Sequence, residues 1–228
     1  QEIRENGFGR ENITPEKPAG LGGYSDAETR ISGVVLDYIY TTCVAFREGE
    51  QTILVYTIDI CGLIDAQMDA IRTHVTTNTG VPGENIFIGA THTHTGPLVN
   101  IDGKSGMQVS GADDSKAAIT LQYGQMLCRK FADAAIMALS DLKPAKMGWS
   151  VGNAPNIAFV RRFRMKDGKV RTNPGVGNPD ILHPIGDVDE RVNVLRFDRE
   201  GGDTIVLANM GCHPDVVGGS LISGDWPT

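Results

Sequence analysis

The chain has 228 residues, of which 40% are hydrophobic and 21% are charged, and its formal net charge is −7. This composition is typical of a globular protein that is long enough to bury a sizeable core. The acidic balance excludes the basic surface that nucleic-acid binding requires, and no apolar run approaches the roughly 20 residues of a membrane span. We therefore expect neither a nucleic-acid partner nor a transmembrane segment.

The first third of the chain is predicted to form a loop, a β-hairpin and a helix. Residues 1–33 are rich in turn-forming proline and glycine and contain no phosphate-binding motif, so they are predicted to be loop-like. Two β-branched and apolar runs, 39–46 and 51–60, flank a short glycine-containing turn and are predicted to pair as a hairpin. Apolar residues recur at helical spacing over 64–78, which predicts a helix.

A third strand, beginning at Ile86, is predicted to end in two histidines before Gly96 and Pro97 stop it. Side chains two positions apart on a strand point to the same face, so His92 and His94 are predicted to reach one metal or substrate. The carboxyl ends of strands are also where α/β proteins tend to bind ligands. The alternative is that the two histidines only form hydrogen bonds in a turn.

A long helix and further strands are predicted in the second half of the chain. A polar loop at 98–115 leads into a helix over 117–142 and then a strand over 146–151. A turn at 167–169 and a proline- and glycine-rich loop over 172–187 follow. Strands and helices in this order favour the α/β class, here a mixed β-sheet layered with helices.

Arg161 and Arg162 belong to a basic cluster in an otherwise acidic chain. A guanidinium is permanently charged and forked, which suits it to recognise an anion or a developing oxyanion. A surface face of salt bridges is the alternative interpretation of this cluster.

The last predicted strand, over 204–214, repeats the pattern of the strand that begins at Ile86. An apolar run delivers His213 at its end, and a proline then breaks it. If the two strand ends share a sheet edge, three histidines converge, which is sufficient for a catalytic zinc with an open position. The carboxylates of Asp59 and Asp215 are candidates to orient an imidazole N–H.

The four cysteines are widely separated and form no CxxC motif, so neither a disulfide framework nor an all-cysteine zinc site is expected. Most of them sit in or beside apolar runs, where a free cysteine behaves as a small hydrophobic residue. They are therefore predicted to be buried free thiols. The four are Cys43, Cys61, Cys128 and Cys212.

Several blocks of this sequence resemble, in order and spacing, the N-terminal part of the neutral/alkaline non-lysosomal ceramidase family. The resemblance runs over nearly the whole chain, and its most specific block is Ala-Thr-His-Thr-His-Thr-Gly-Pro at 90–97. It implies a single catalytic domain over 1–228 that is the N-terminal portion of a longer architecture. The other blocks are Ile13-Thr14-Pro15 with Gly22-Gly23-Tyr24, Ile58-Asp59, Asn156 to Arg162, and Cys212-His213-Pro214 leading to Ile222-Ser223-Gly224-Asp225.

What the resemblance implies is a zinc-dependent amidohydrolase. Its expected substrate is a lipid amide such as N-acylsphingosine (ceramide), cleaved by a zinc-activated water. By position, the metal ligands are His92 and His213, and His94 acts on the substrate or the bound water. Arg161 is the active-site arginine, with Arg162 as the alternative.

This chain also departs from the family pattern. Family members are considerably longer, and their remaining zinc ligands, a glutamate and a tyrosine, lie beyond the position of Thr228. We therefore expect a C-terminal segment or a second chain to complete the site. A metal-dependent hydrolase of a non-lipid amide or ester, or a processed half that acts as a binding module, are the alternatives. The first residue is Gln1 rather than Met, and a secreted, periplasmic or cell-surface location with peripheral membrane contact is expected.

Overall fold

The computed structural model describes residues 4–24, 29–102 and 114–227, and it confirms the predicted α/β class. Its helices are α1 (Asp65–Thr79), a short 3-10 helix (Gly83–Asn85) and α2 (Asp114–Ser140). Its strands are β1 (Arg4–Asn12), β2 (Val34–Val35), β3 (Tyr40–Glu48), β4 (Gln51–Ile58), β5 (Ile86–Ala90), β6 (Lys143–Asn153), β7 (Arg162–Met165), β8 (Val170–Thr172), β9 (Ile181–Pro184), β10 (Arg191–Arg199), β11 (Ile205–Met210) and β12 (Leu221–Ile222).

The chain divides into two compact units. The first contains Gln1–Lys146, Phe197–Ile205 and Pro214–Thr228, and the second contains Met147–Arg196 and Val206–His213. The prediction of one catalytic domain over residues 1–228 stays a prediction. None of the described helices combines the length and the apolar character that a membrane span needs.

Strands β1, β3, β4 and β5 lie side by side in this order in the first unit. Strands β3 and β4 pair antiparallel, from Thr41 opposite Ile58 to Glu48 opposite Gln51, which confirms the predicted hairpin. Strands β4 and β5 pair in parallel, and α1 connects them in a β-α-β crossover. Because β4 and β5 are parallel neighbours, their carboxyl ends lie at the same edge of the sheet.

The prediction of a loop over residues 1–33 is wrong for the first part of that range, because β1 pairs with β3 along its whole length. The sequence pattern of β1 is a weak indication of a strand, because β1 carries glycines at the positions where helix α2 packs across it. A Cβ atom on Gly7 would lie 1.9 Å from the Ala138 carbonyl oxygen, and one on Gly9 would lie 2.0 Å from that of Ala134. The glycines therefore let the helix pack directly on the strand backbone.

Helix α2 covers the sheet of the first unit and seals its core. The predicted helix is confirmed, although α2 begins three residues before the predicted start. Of the loop predicted over 98–115, residues 103–113 lie outside the described part of the chain. Tyr56 on β4 is buried against Phe131 with ring centroids 4.8 Å apart, and its hydroxyl donates to the Phe131 carbonyl over 2.8 Å. This contact ties the central strand to the helix.

The second unit is built mainly from strands. Strand β7 lies between β8 and β9, antiparallel to both, and the turn between β7 and β8 has Gly168 in the left-handed region at φ 79°. This confirms the predicted turn at 167–169, whereas β9 falls inside the stretch predicted as loop over 172–187. Strand β11 ends at Met210, so His213 follows the strand instead of ending it.

We predict that Gly9→Ala destabilises the protein, because the new methyl group must displace backbone atoms of α2. Overpacking of this kind costs about 1–3 kcal/mol in the free energy of unfolding. The matched control is Gly148→Ala on β6, where an added Cβ meets nothing within 4 Å and the change should stay within about 0.5 kcal/mol. Chemical denaturation measures both, and equal midpoints for the two variants would contradict this packing account.

Candidate functional site

The two histidines of the 90–97 block lie in a loop and not on a strand. Strand β5 ends at Ala90, and His92 has a left-handed backbone at φ 69°. The prediction that side-chain alternation along a strand brings the two histidines together is therefore wrong. The loop nevertheless brings the imidazoles of His92 and His94 together, with ring centroids 5.1 Å apart and ring planes at 80°.

The end of strand β4 holds the first part of this loop. The backbone N–H of Thr91 donates to the Ile58 carbonyl over 2.9 Å, and that of His92 donates to the Ile60 carbonyl over 3.1 Å. The loop after β5 thus stays beside the chain that leaves β4. This is why the residue just after Ile60 lies next to His92.

The segment around Ser223 holds the second part of the loop. The hydroxyls of Thr93 and Thr95 both donate to the Ser223 carbonyl over 2.9 Å, and all three residues are fully buried. The Asp225 carboxylate accepts the backbone N–H groups of Val216 and Val217, which orders the turn that carries Asp215. The Ile-Ser-Gly-Asp block is therefore a brace for the histidine loop.

Cys61 contacts His92 with two of its atoms. The Nδ1 atom of His92 lies 2.5 Å from the Cys61 carbonyl oxygen and 3.6 Å from its Sγ atom. A carbonyl oxygen only accepts, so Nδ1 carries the proton and Nε2 is the basic nitrogen. Cys61 is half-buried, and this burial raises the pKa of its thiol.

His94 is buried beneath a glycine and a tyrosine from the N-terminal segment. The ring of Tyr24 meets the imidazole edge-on at a centroid distance of 4.8 Å. Gly23 has φ 100°, and a Cβ atom there would lie 2.5 Å from Cγ of His94. Only glycine allows this close approach, so the Gly-Gly-Tyr block forms one wall of the site.

Asp215 is the carboxylate that lies beside an imidazole. Its Oδ1 atom is 3.6 Å from Nδ1 of His94, and it also accepts a hydrogen bond from the Tyr24 hydroxyl. That hydrogen bond, together with burial, raises the pKa of Tyr24 to about 12. Asp59, the other predicted carboxylate, instead accepts the Tyr40 backbone N–H over 2.8 Å, and burial raises its pKa.

Arg30 is a buried cation behind the site. Its guanidinium donates to the Gly22 carbonyl over 2.5 Å and to the carbonyl of His94, and it lies 4.3 Å from the centre of the Tyr24 ring. Arg30 is only 7% exposed. It therefore links the N-terminal wall of the site to the histidine loop.

The donor atoms of this site suit a transition metal. Cys61, His92 and His94 each offer one donor atom, and the three atoms lie within 4.8 Å of one another. A set of imidazole nitrogen and thiol sulfur is the type that zinc prefers. The hydrogen bond from His92 to a backbone carbonyl is also typical of a metal-binding histidine.

The other predicted site residues belong to the second unit. Arg161 and Arg162 are exposed, and the Arg161 carbonyl accepts the Asn173 backbone N–H over 2.8 Å. His213 is half-buried at the end of that unit. Their assignments as active-site arginine and metal ligand stay predictions.

Sequence reasoning missed Tyr24, Arg30 and Cys61 as parts of this site. Cys61 carried a usable signal, because a residue just after β4 must lie beside a residue just after its parallel neighbour β5. The Gly-Gly-Tyr block was noticeable, but nothing in the sequence indicates which side chain the glycines approach. Arg30 carried no signal that separates it from a surface arginine.

No family model matches the sequence, and no curated protein matches it. The solved structures that match its fold include neutral ceramidase from Pseudomonas aeruginosa, with a TM-score of 0.72, and a ceramidase complexed with C2, with a TM-score of 0.70. Each is 18% identical to this chain, and each match covers 99% of this chain and 34% of the ceramidase chain. The chain therefore has a neutral-ceramidase-like fold and spans about a third of the length of the solved ceramidases.

We predict that Tyr24 titrates near pH 12 because its hydroxyl donates to the Asp215 carboxylate. Asp215→Asn should bring this pKa back toward the ordinary value of about 10. Absorbance of the phenolate during an alkaline titration measures the shift, and Tyr24→Phe identifies which transition belongs to Tyr24. An unchanged transition in Asp215→Asn would contradict the contact.

The same shift makes stability depend on pH. The folded state holds the Tyr24 proton more tightly than the unfolded state, so this contribution is complete below about pH 10 and is lost as pH rises toward about 12. The pH dependence of the denaturation midpoint should therefore be shallower in Tyr24→Phe over this range.

Proposed function

We propose that the chain carries the metal-binding and proton-handling part of a zinc-dependent hydrolase that cleaves an amide bond. The observation that carries this proposal is the contact of His92 with Cys61. Because Nδ1 donates to the Cys61 carbonyl, Nε2 is the nitrogen that can bind a metal, and the buried imidazole of His94 lies beside it. The neutral-ceramidase-like fold supports the same class of activity.

In this proposal His92 and His213 bind the zinc. Two observations support these ligand assignments. The tautomer of His92 is fixed by its contact with Cys61, and His213 lies two residues before Asp215 in the sequence. When bound, zinc supplies a Lewis acid that polarises a carbonyl group and lowers the pKa of water. Further ligands come from a C-terminal segment or a second chain, since the match covers 34% of a ceramidase chain.

His94 is the proposed proton carrier. Its Nδ1 faces the Asp215 carboxylate, which favours the tautomer with the proton on Nδ1 and leaves Nε2 to take up and release a proton. The proton goes from the attacking water to the leaving amine. Arg161, with Arg162 as the alternative, stabilises the oxyanion that develops on the amide carbonyl.

The proposed substrate is a lipid amide of the N-acylsphingosine type. Support comes from the similarity in fold to ceramidases, one of which was solved in complex with C2. A hydrolase of a non-lipid amide or ester is the alternative, and a panel of long-acyl amides, short-acyl amides and esters distinguishes the two. We expect the long-acyl amides to be cleaved fastest; preference for short or ester substrates would favour the alternative.

We predict that His92→Ala abolishes zinc binding and hydrolysis together, because it removes the nitrogen oriented by Cys61. Elemental analysis of the dialysed chain measures the bound zinc, and His183→Ala is the matched control. His183 is exposed, and its Nδ1 likewise lies next to a backbone carbonyl, that of Pro184. Zinc retained by His92→Ala would remove His92 from the ligand set. Stoichiometric zinc bound by the wild-type chain alone would argue against the alternative of a binding module that lacks a complete site of its own.

A further inference from the structure

The hydroxyl of Tyr24 and the imidazole of His94 meet at one oxygen atom, Oδ1 of Asp215. That atom accepts a hydrogen bond from the Tyr24 hydroxyl and lies 3.6 Å from Nδ1 of His94. The ring of Tyr24 also meets the His94 imidazole edge-on, with ring centroids 4.8 Å apart. Tyr24 therefore contacts His94 directly with its ring and, through Asp215, with its hydroxyl.

The position of this oxygen limits the contact between Asp215 and His94. An N–H···O hydrogen bond spans about 2.7–3.2 Å, so a separation of 3.6 Å lies just outside bonding distance. The turn that carries Asp215 is ordered by the Asp225 carboxylate, which accepts two of its backbone N–H groups. What remains adjustable is the rotation of the Asp215 side chain, which is 29% exposed. The Tyr24 hydroxyl restrains this rotation and keeps Oδ1 on the side of His94.

The Tyr24 ring is itself held by its neighbours. Gly23 has φ 100°, and its backbone lies so close to His94 that a Cβ atom would be 2.5 Å from Cγ of the imidazole. The buried guanidinium of Arg30 lies 4.3 Å from the centre of the Tyr24 ring, a distance at which a cation is attracted to the face of an aromatic ring. The hydroxyl is therefore presented to Asp215 from a ring that is fixed in place.

We propose that Tyr24 is a positioning residue for the proton carrier His94. This inference rests on the proposed function and adds one residue to it. The Tyr24 hydroxyl keeps its own proton and holds the Asp215 carboxylate where it accepts the Nδ1 proton of His94. Nε2 of His94 is then left to exchange the proton of the reaction. Tyr24 acts through Asp215 and not on the substrate.

The Tyr24 hydroxyl has two opposite effects on Asp215. It holds Oδ1 near His94, but it also draws negative charge from the atom that His94 needs as an acceptor. A carboxylate oxygen has lone pairs for two donors, so both hydrogen bonds can exist together. At 3.6 Å the bond to His94 has not formed, so the position of Oδ1 decides this contact before its basicity does. We therefore expect removal of the hydroxyl to weaken the hold on His94.

Nitrogen-15 NMR of His94 in the metal-free, full 228-residue chain tests the inference, because it needs neither zinc nor substrate. We expect His94 of the wild-type chain to carry its proton on Nδ1. Tyr24→Phe keeps the ring and removes only the hydroxyl, and it should raise the fraction of His94 with the proton on Nε2 several-fold. The matched control is Tyr38→Phe, which alters a tyrosine that is 60% exposed and should leave His94 unchanged.

Asp215→Ala separates action through the carboxylate from a packing role of the Tyr24 ring. It should shift the His94 tautomer in the same direction as Tyr24→Phe, and adding Tyr24→Phe to it should cause no further shift. An unchanged tautomer in either single variant, or shifts that simply add in the double variant, would overturn the inference. Because either single variant can overturn it, the test stands even where one of them fails to fold.

Hydrolysis kinetics then separate this inference from the proposed function. Tyr24→Phe should lower kcat about 10-fold and leave KM unchanged, because the hydroxyl acts on the proton carrier and not on the bound substrate. A kcat that is unchanged or higher in Tyr24→Phe would overturn the positioning role of Tyr24 and leave the proposed function standing. A wild-type chain that binds no zinc and cleaves no amide would overturn the proposed function, whatever the tautomer of His94.

Discussion

The parallel pairing of β4 and β5 is the constraint on which the site depends. Parallel neighbours end at one edge of the sheet, so the chain that leaves β4 runs beside the chain that leaves β5. The His92 N–H donates to the Ile60 carbonyl, and the next carbonyl along, that of Cys61, accepts from the His92 ring. A backbone arrangement thereby fixes which imidazole nitrogen is basic, and this decides where a metal can bind.

Segments that are distant in sequence then enclose the second histidine. Gly23 allows the N-terminal segment to lie against His94, Ser223 braces the loop from its other side, and Arg30 joins the two through backbone carbonyls. These contacts bury His94 while His92 stays exposed. One imidazole is therefore open to a ligand, and the other is held in a fixed environment beside Asp215.

Much of the fold could be predicted from local patterns, because the β3–β4 hairpin, helix α1 and helix α2 all carry strong periodicity. Strand β1 could not, since Gly7 and Gly9 serve contacts with α2 that only the folded chain reveals. The sequence predicts that His92 and His94 lie close together, but it does not predict why. Strand β5 ends at Ala90, and the left-handed backbone of His92 breaks the strand geometry on which the prediction relied.

The walls of the site were harder to predict than its histidines. Tyr24 and Asp215 are 191 positions apart in sequence, so no local pattern relates them. Their contact exists because the histidine loop lies between the segments that carry them. The proposed metal-binding role of Nε2 depends on the tautomer of His92, in which Nδ1 carries the proton.

The most direct test of that claim is nitrogen-15 NMR of the imidazoles, recorded on the metal-free chain and again after zinc is added. The account predicts that His92 carries its proton on Nδ1 without metal, and that zinc shifts the resonance of Nε2. A proton on Nε2 in the metal-free chain, with that resonance unmoved by stoichiometric zinc, would contradict it.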